Sequence, residues 1–467
     1  MEATTEQKEA IADLAEAGCI VRADAAERLD AETADRITAM SPPPMVVNEQ
    51  LLDNLETGAI GRDTSVEVLT DIEEEKEKRD VQDFVDFYND RYEQLKSLLL
   101  RRRDIQNAVS ITRLDDMQER DEVSVVGIVE DKYRTSSGKF IVYIEDTSGR
   151  TKLLVEEDEG ERIVQDEVIG VNGALGDDIV FADRVIWPDV PLPDGVSSTS
   201  EEVYAAFISD IHFGSIDTLN DTLDTFIEWL NSGNEFAQKI GYLFVVGDAV
   251  EGVGTYPGQE AELEVTNIYT QYERFEEFVA DIPEDIEVIV CPGNHDMVRL
   301  AEPQPPLPEE AVPRLHEMDN VHLVPNPCYV NIHGHDSGGV DVLLYHGYSF
   351  DGHVDTLPHL REKAYEEPEH AMVDWLKRRH LAPIYGSNLV VPDEEDPLVI
   401  DRVPDIFAAG HTHSFGCTTY KGINVVCAGT FQAQTDFQER MGHEPEPGKV
   451  AVINLATRET AVKEFDH

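Results

Sequence analysis

Apolar residues recur every three or four positions near the start of the chain, as in Ile11, Leu14 and Cys19. This spacing predicts amphipathic helices, which together form a small helical module over residues 1–40. Three prolines at 42–44 end the module, because proline blocks the continuation of a helix. The sequence does not decide whether the module binds a partner or is only a minimal folded unit.

Residues 41–80 mix glycine, threonine and acidic side chains without a sustained period, which predicts a linker. The helical period returns over 81–115, and this helical segment contains three consecutive arginines, Arg101, Arg102 and Arg103. Such a triplet can contact a nucleic-acid backbone. It is also typical of a solvated helix end, where the helix dipole favours positive charge. Both interpretations stay open.

Between residues 116 and 190 the pattern changes from helical to alternating. Five short runs rich in β-branched and aromatic residues, separated by turn residues, predict five strands. Five such strands favour a small β-barrel of the OB type. Lys132 and Arg134 lie near a predicted loop, where they could bind single-stranded nucleic acid. A barrel used only as a structural dock fits the sequence equally well.

From residue 200 to residue 467, apolar runs such as 242–246 alternate with longer amphipathic segments. This alternation predicts strands and helices stacked in layers. The whole chain is therefore predicted to be an α/β protein, or more fully an α+β multidomain protein. Its parts are a helical module, an OB-type barrel and a layered C-terminal domain.

The chain carries 95 acidic residues against 37 lysines and arginines, a formal charge of −58. Frequent apolar runs argue against a disordered acidic protein. Dispersed acidic residues are typical of proteins from salt-accumulating archaea, because concentrated salt screens self-repulsion. We therefore expect a halophilic archaeal source. Any contact with nucleic-acid phosphates must come from local basic clusters.

Five cysteines are present without a C-x-x-C pair, which favours buried free thiols over a zinc cluster or a disulfide framework. The acidic N-terminus lacks the features of a signal peptide. No stretch approaches the roughly 20 apolar residues of a membrane span. The expected location is the cytoplasm, with no membrane partner.

Five short motifs follow predicted strands in the C-terminal domain, and each carries a carboxylate, an imidazole or an amide. The ends of strands are where α/β sheets gather functional side chains. No motif is specific alone, but all five in this order are. They are Ser209-Asp210-Ile211-His212, Gly247-Asp248, Gly293-Asn294-His295-Asp296, Tyr345-His346-Gly347 and Gly410-His411-Thr412-His413.

This order resembles that of the calcineurin-like metallophosphoesterases, whose domain has four layers, α/β/β/α. The resemblance implies two metal ions bridged by Asp248, with His295 as the catalytic residue beside the scissile phosphate but off the metals. The other ligands of the first ion would be Asp210, His212 and His413. The other ligands of the second ion would be Asn294, His346 and His411.

Such a set of side chains suits hydrolysis of a phosphate ester. Two divalent ions clamp a phosphate and activate water near neutral pH. Imidazoles suit manganese, iron or zinc better than magnesium, and manganese is the metal we expect. His295 can act as a general acid towards the departing oxygen.

Two features indicate one family within this superfamily. They are the upstream barrel and the stretches 245–259 and 345–351. They resemble the small subunit of archaeal family D DNA polymerase over about residues 80–467. The resemblance implies a metal-dependent 3′–5′ exonuclease that proofreads DNA primer ends. It also implies a large catalytic polymerase subunit as partner, and contact with a sliding clamp through that subunit.

Two alternatives to the exonuclease stay open. One is a scaffold whose phosphoesterase site is vestigial, and the other is a phosphatase of small substrates. Arg378 and Arg379 could steer DNA towards the metals, or they could simply be solvated surface residues. Replacing Asp248 or His295 separates the nuclease from the scaffold.

Overall fold

The computed structural model describes residues 5–16, 19–26, 28–29, 31–38, 46–47, 64–70, 72, 78–193, 195–334 and 338–465. It confirms the mixed α/β class predicted from the sequence. None of the helices within these ranges is both long enough and apolar enough to cross a membrane.

The N-terminal module consists of three helices and one pair of two-residue strands. The helices are α1 (Thr5–Glu16), α2 (Ala23–Ala26) and α3 (Ala31–Thr38), and the parallel strands are β1 (Ile20–Val21) and β2 (Val46–Val47). Apolar side chains predicted from the helical period, including Leu14, Leu29 and Ile37, form its small core. The strand pair has no signal in the sequence, because two residues carry no period.

Two short strands, β2 and a further strand β3, lie within the stretch 41–80, which was predicted to be a linker. Residues Val66–Val68 form β3, which pairs antiparallel with β13 (Cys328–Ile332) at the edge of a sheet more than 250 residues further along the chain. The prediction was wrong for this segment because a three-residue strand is too short to show alternation. Its pairing partner, rather than its own sequence, makes it a strand.

A long helix and a closed barrel follow. Helix α4 (Val81–Leu100) begins with a capping box in which Asp80 accepts a hydrogen bond from the backbone of Gln82. The barrel strands run in the order β4-β5-β6-β8-β7. Their bounds are Glu122–Arg134 for β4, Phe140–Asp146 for β5, Gly149–Val155 for β6, Val168–Leu175 for β7 and Val180–Ile186 for β8. The four-residue helix α5 (Glu157–Gly160) lies between β6 and β7.

Two six-stranded sheets build the remainder. The first has the order β12-β11-β10-β9-β18-β19 and the second the order β16-β17-β15-β14-β13-β3. The first sheet contains β9 (Tyr204–Ile208), β10 (Ile240–Val246), β11 (Glu287–Cys291), β12 (Val321–Leu323), β18 (Lys449–Asn454) and β19 (Thr460–Glu464). The second contains, besides β3 and β13, β14 (Val340–Leu344), β15 (Ile406–Ala409), β16 (Phe415–Tyr420) and β17 (Ile423–Ala428).

Helices cover the outer faces of these two sheets. One apolar cluster joins the first sheet to α6 (Asn220–Leu230) and α7 (Ile268–Ala280). Another joins the second sheet to α8 (Phe350–Thr356), α9 (Pro358–Arg361) and α10 (Glu369–Arg378). A third cluster contains side chains of both sheets, so the sheets pack face to face. The short helix α11 (Asp436–Met441) lies after β17.

Candidate metal centre

The five motifs all lie directly beyond the carboxyl ends of strands. In the first sheet, β9, β10 and β11 end at Ile208, Val246 and Cys291. The motif side chains that follow them are Asp210, His212, Asp248, Asn294 and His295. In the second sheet, β14 and β15 precede His346, His411 and His413. The candidate centre therefore forms where the same edges of two facing sheets meet.

Five of the seven predicted ligands have a left-handed backbone, with φ between 50° and 72°. They are Asp210, His212, Asp248, His411 and His413. Residues other than glycine adopt this conformation at a cost of order 1–3 kcal/mol, and they do so mainly at functional sites. The surrounding strands and hydrogen bonds hold these ligands in a strained but fixed arrangement.

Two glycines allow the ligands to approach one another. A Cβ atom on Gly293 would lie 2.2 Å from Oδ1 of Asp248, and one on Gly247 would lie 2.2 Å from Nδ1 of His346. Both distances are well inside van der Waals contact. Glycine is therefore required at these positions for Asp248 and His346 to take the positions they have.

One group of side chains gathers around His212. Its Nε2 atom lies 3.8 Å from an oxygen of Asp210, 3.8 Å from an oxygen of Asp248 and 3.1 Å from Nε2 of His413. Its Nδ1 atom lies 2.9 Å from the Glu251 carboxylate, which can only accept a hydrogen bond, so Nδ1 carries the hydrogen in the neutral ring. In that neutral form Nε2 would offer a lone pair to a bound cation. Without one, burial opposes the charged form of His212, but the carboxylates of Asp210 and Glu251 outweigh it and hold its pKa well above the usual value.

One oxygen of the Asp210 carboxylate lacks a hydrogen-bond donor. Its Oδ2 atom accepts hydrogen bonds from Ser209 Oγ and from the backbone of His411. Its Oδ1 atom is buried without a hydrogen-bond partner and lies 3.5 Å from Nε2 of His413. Ligand atoms of Asp210, His212 and His413 all lie within 4.8 Å of one another, and a cation bound among them would satisfy the unpartnered oxygen of Asp210.

A second group surrounds His346. Its Nδ1 atom donates to the carbonyl of Val246, at 2.9 Å. Its Nε2 atom faces two oxygens, Asp248 Oδ2 at 3.2 Å and Asn294 Oδ1 at 3.1 Å. Asn294 Oδ1 also lies 3.0 Å from Nδ1 of His411. Either a proton or a metal cation must lie between His346 and these oxygens.

The pKa values follow from this arrangement. Burial disfavours the charged form of His346, but the adjacent carboxylates of Asp248 and Asp210 outweigh it and raise its pKa to about 10. Burial lowers the pKa of His413 to about 4. Burial opposes ionisation of Asp248, yet the neighbouring His346 and His295 hold its pKa well below the usual range. The buried carboxylates thus remain ionised and attract cations.

His295 differs from the other histidines. Its side chain is partly exposed, and Nδ1 donates to the carbonyl of Glu251 at 2.8 Å. This leaves Nε2 free to carry or release a proton. His212, Asp248 and His295 also offer ligand atoms that all lie within 4.8 Å of one another, so geometry alone permits His295 to be a ligand as well.

Three side chains that support the ligands were missed from the sequence. Glu251 contacts Nδ1 of His212, Gln438 lies 2.9 Å from Nδ1 of His413, and Asp351 lies 3.3 Å from Nε2 of His411. Partners of this kind fix the orientation of a ligating imidazole. Glu251 and Asp351 lie within the stretches that carried the family resemblance. Gln438 had no signal, because α11 reaches the site only through the fold.

The predicted DNA-contacting residues are not gathered at this site, and two of them are buried. Arg378 pairs with Asp374 and Glu167. Arg379 donates to the carbonyls of Ile400 and Asp401. The prediction that Arg378 and Arg379 steer DNA was wrong, since neither guanidinium faces solvent. Both connect parts of the fold, and Arg378 does so between α10 and the barrel.

The basic residues of the barrel and of α4 are largely paired. Lys132 and Arg134 lie on strand β4 rather than in a loop. Lys132 donates to the carbonyls of Gly160 and Ile163, and Arg134 pairs with Glu157. Of the arginine triplet after α4, Arg102 pairs with Asp104 while Arg101 and Arg103 are exposed.

Comparisons with known proteins place the chain in a family. Residues 205–417 match the family model that describes the B subunit of DNA polymerases alpha and epsilon. The DNA polymerase II small subunit of Methanocaldococcus jannaschii is 41% identical, over 80% of this chain and 64% of that protein. The DNA polymerase II small subunit of Halobacterium salinarum (strain R1) is 39% identical, over 82% of this chain and 75% of that protein. The chain belongs to the family of archaeal DNA polymerase II small subunits. A third member, from Archaeoglobus fulgidus, is 40% identical over 80% of this chain and 75% of that protein.

Membership in this family confirms the resemblance that the motifs indicated. The chain spans 64% of the length of the Methanocaldococcus relative. The family match at 205–417 includes all seven predicted ligands and His295. It also includes the supporting side chains Glu251 and Asp351, whereas Gln438 lies beyond it.

Proposed function

We propose that this chain is the exonuclease subunit of a DNA polymerase and hydrolyses DNA from the 3′ end with two divalent ions, manganese being the expected metal. The observation that supports the proposal most directly is that Asp210 Oδ1 is buried without a hydrogen-bond partner, 3.5 Å from Nε2 of His413 and 3.8 Å from Nε2 of His212. The relatives named DNA polymerase II small subunit support DNA as the substrate. The 3′–5′ polarity rests on the family resemblance.

In this proposal the seven ligand residues hold the two ions, with Asp248 between them. Divalent ions bound there would polarise a phosphodiester and activate water. His295 donates a proton from Nε2 to the 3′ oxygen that leaves when the phosphodiester is cleaved. The Glu251 carbonyl holds the other side of the ring at 2.8 Å, so that Nε2 stays directed away from it. The Glu251 carboxylate and the Val246 carbonyl keep the imidazoles of His212 and His346 oriented.

A structural role accompanies the catalytic one. We interpret the five-stranded barrel as OB-type and the two-sheet unit as a four-layer metallophosphoesterase domain. Arg91 of α4 pairs with Asp396 at 2.6 Å, and Arg378 pairs with Glu167 of the barrel segment, all four side chains being buried. These pairs join α4, barrel and sheets into a platform suited to a large catalytic subunit. Through that subunit the platform would reach primer ends and a sliding clamp.

A substrate panel separates the proposal from its two alternatives. The full chain is incubated with manganese and with DNA labelled at the 5′ or the 3′ end, and separately with a small aryl phosphomonoester. We expect 5′-labelled DNA to shorten in single-nucleotide steps. Rapid turnover of the monoester without DNA cleavage would indicate a phosphatase.

The matched variants are Asp248→Ala and His295→Ala, with Asp224→Ala on the exposed face of α6 as control. A nuclease that belongs to this centre is lost in the first two variants and kept in the control. If all three variants degrade DNA as fast as the unaltered chain, the activity comes from elsewhere and the chain is a scaffold.

A further inference from the structure

A cavity of about 590 Å³ opens over the candidate metal centre, and its lining includes the aromatic rings of Tyr256 and Phe437. Tyr256 comes from the loop after β10 and Phe437 from α11, and His212, His295 and His413 line the same cavity. Both rings are accessible: Phe437 is 58% exposed and Tyr256 is 37% exposed. The two aromatic residues belong to no apolar core cluster of the described residues.

The ring of Tyr256 is held in place by the polar groups around it. Its hydroxyl donates to Glu262 at 2.6 Å. The loop that carries it is closed by the buried Gln259, whose side-chain oxygen accepts from the backbones of Gly254 and Thr255 at 2.7 and 3.0 Å. The amide of Gln259 also donates to Glu251, the carboxylate that contacts His212. Tyr256 is thus fixed relative to the metal centre.

The helix that carries Phe437 is also tied to the candidate metal centre. The next residue, Gln438, forms the capping box of α11 with Thr435. The same amide side chain lies 2.9 Å from Nδ1 of His413. A single side chain therefore couples the start of α11 to a predicted ligand. Phe437 presents its ring to solvent beside that ligand, where an exposed apolar side chain of this size contributes nothing to the core.

The charge around the cavity points to stacking as the source of affinity. Among the described residues that line it, Arg440 is the only lysine or arginine, whereas Glu251, Glu262 and Asp351 are carboxylates. A chain of charge −58 does not attract a DNA strand at long range. Contacts to phosphates weaken steeply with salt, while stacking of a base on an aromatic ring does not depend on counterion release.

We propose that Phe437 and Tyr256 form a nucleobase subsite, which takes the base of a nucleotide next to the scissile phosphate. This inference rests on the proposed nuclease function and names the element of DNA that the centre recognises. Stacking on one aromatic side chain contributes roughly 1–3 kcal/mol per base. Loss of one ring should therefore raise KM about 5- to 150-fold for a normal DNA end.

The test uses the full chain, manganese and single-stranded DNA in which one nucleotide beside the scissile phosphate, on either side, lacks its base. We expect the unaltered chain to show a higher KM for one of the two abasic substrates. Phe437→Ala and Tyr256→Ala should raise KM for normal DNA and leave KM for that abasic substrate unchanged. Phe437→Tyr, which keeps a ring, should behave as the unaltered chain.

Met441 provides the matched control, because it lies on the same helix, is also 58% exposed and does not line the cavity. Met441→Ala should leave KM unchanged. Equal KM values for normal and abasic DNA, or an unchanged KM in both alanine variants, would overturn the subsite. A different result would also overturn it: Phe437→Ala and Met441→Ala weaken binding of the large polymerase subunit equally, and KM does not change. This face of α11 would then bind a protein partner instead of a base.

A second measurement separates this inference from the nuclease itself. DNA with 2-aminopurine beside an uncleavable phosphorothioate linkage is titrated with the chain, and its fluorescence is recorded. Stacking should quench the fluorescence in the unaltered chain and not in Phe437→Ala. If the chain cleaves no DNA but quenching depends on Phe437, the nuclease fails and the subsite stands. If the chain cleaves DNA but the fluorescence is not quenched, the nuclease stands and the subsite is wrong.

Discussion

At the scale of single residues, Glu251 determines how one predicted ligand can act. It is buried, it lies 2.9 Å from Nδ1 of His212, and it accepts hydrogen bonds from Gln259 and Gln432. Burial works against its charge, but the hydrogen bond with His212 prevails and lowers its pKa to about 2. Glu251 is therefore a fixed anion that turns the lone pair of His212 towards the centre.

We expect Glu251→Gln to weaken manganese binding by about 10- to 100-fold, the range typical of side chains that orient a metal ligand. The amide keeps the size of the side chain and loses its charge. Glu262→Gln, on the same side of the cavity, is the control and should bind manganese normally. Calorimetric titration with manganese measures both. Equal affinity in the two variants would show that His212 needs no anionic support.

Replacing His295 distinguishes the role of a proton donor from that of a metal ligand. We expect His295→Ala to reduce kcat by about 10²- to 10⁴-fold, as for loss of a general acid, and to leave the affinity for manganese unchanged. Asp248→Asn should reduce both kcat and the affinity for manganese. If His295→Ala loses manganese as Asp248→Asn does, His295 is a ligand, which its place beside His212 and Asp248 also permits.

The convergence of the proposed ligands could be predicted from the sequence because they follow strand ends and most of them stand next to a small residue. Asp248 follows Gly247, His411 follows Gly410, and both glycines are needed at close contacts. The position of Arg378 could not be predicted from its neighbours in the sequence. Its burial depends on Glu167, which lies 211 residues away in the chain. Glu251 is likewise one of 95 acidic residues, and no local pattern marks it as buried.

At the scale of elements, buried ion pairs join α4 to the layered domain. Arg91 and Asp396 are 2% and 0% exposed and lie 2.6 Å apart. Arg91 also donates to the carbonyl of Pro383 at 2.9 Å, and Asp396 accepts from His380. Removal of one partner would leave the other charge buried without compensation.

We expect Arg91→Ala to lower the free energy of unfolding by about 3–5 kcal/mol. The control is Arg274→Ala, which breaks an exposed pair with Glu264 and should cost less than about 1 kcal/mol. Denaturant titration of both variants at constant salt gives the two values. Similar small losses in both would mean that α4 is not fixed to the layered domain by this pair.

Elements that lie inside the fold could be predicted well, and edge elements could not. The predicted strand at 140–146 corresponds to β5, and that at 406–409 to β15. Both are apolar enough to show strand character alone. Strand β12 has three residues and β3 has three, and each depends on a neighbouring strand for its hydrogen bonds. Such strands are defined by tertiary structure.

At the scale of the whole molecule, the formal charge is −58. Because 95 acidic residues face only 37 lysines and arginines, more than half of the acidic residues have no one-to-one basic partner. Repulsion between the remaining carboxylates destabilises the compact state. The predicted halophilic origin rests on this excess of acid.

We therefore expect the midpoint of thermal unfolding to rise between about 0.1 M and about 1 M potassium chloride, as the Debye length falls from about 10 Å to about 3 Å. Sucrose is the control, because it stabilises compact states without screening charge. Thermal melts followed by circular dichroism measure the midpoint. A midpoint that does not change with salt would contradict the interpretation of the acidic composition as an adaptation to salt.

The most direct test of the account is the rate at which the chain releases nucleotides from the 3′ end of 5′-labelled DNA as manganese is added. We expect release that saturates with manganese, is abolished by a chelator and is lost in Asp248→Asn. The surface variant Asp224→Asn, on α6, should match the unaltered chain. Release at the same rate in Asp248→Asn, or no release at any manganese concentration with or without the large subunit, would contradict the proposed exonuclease.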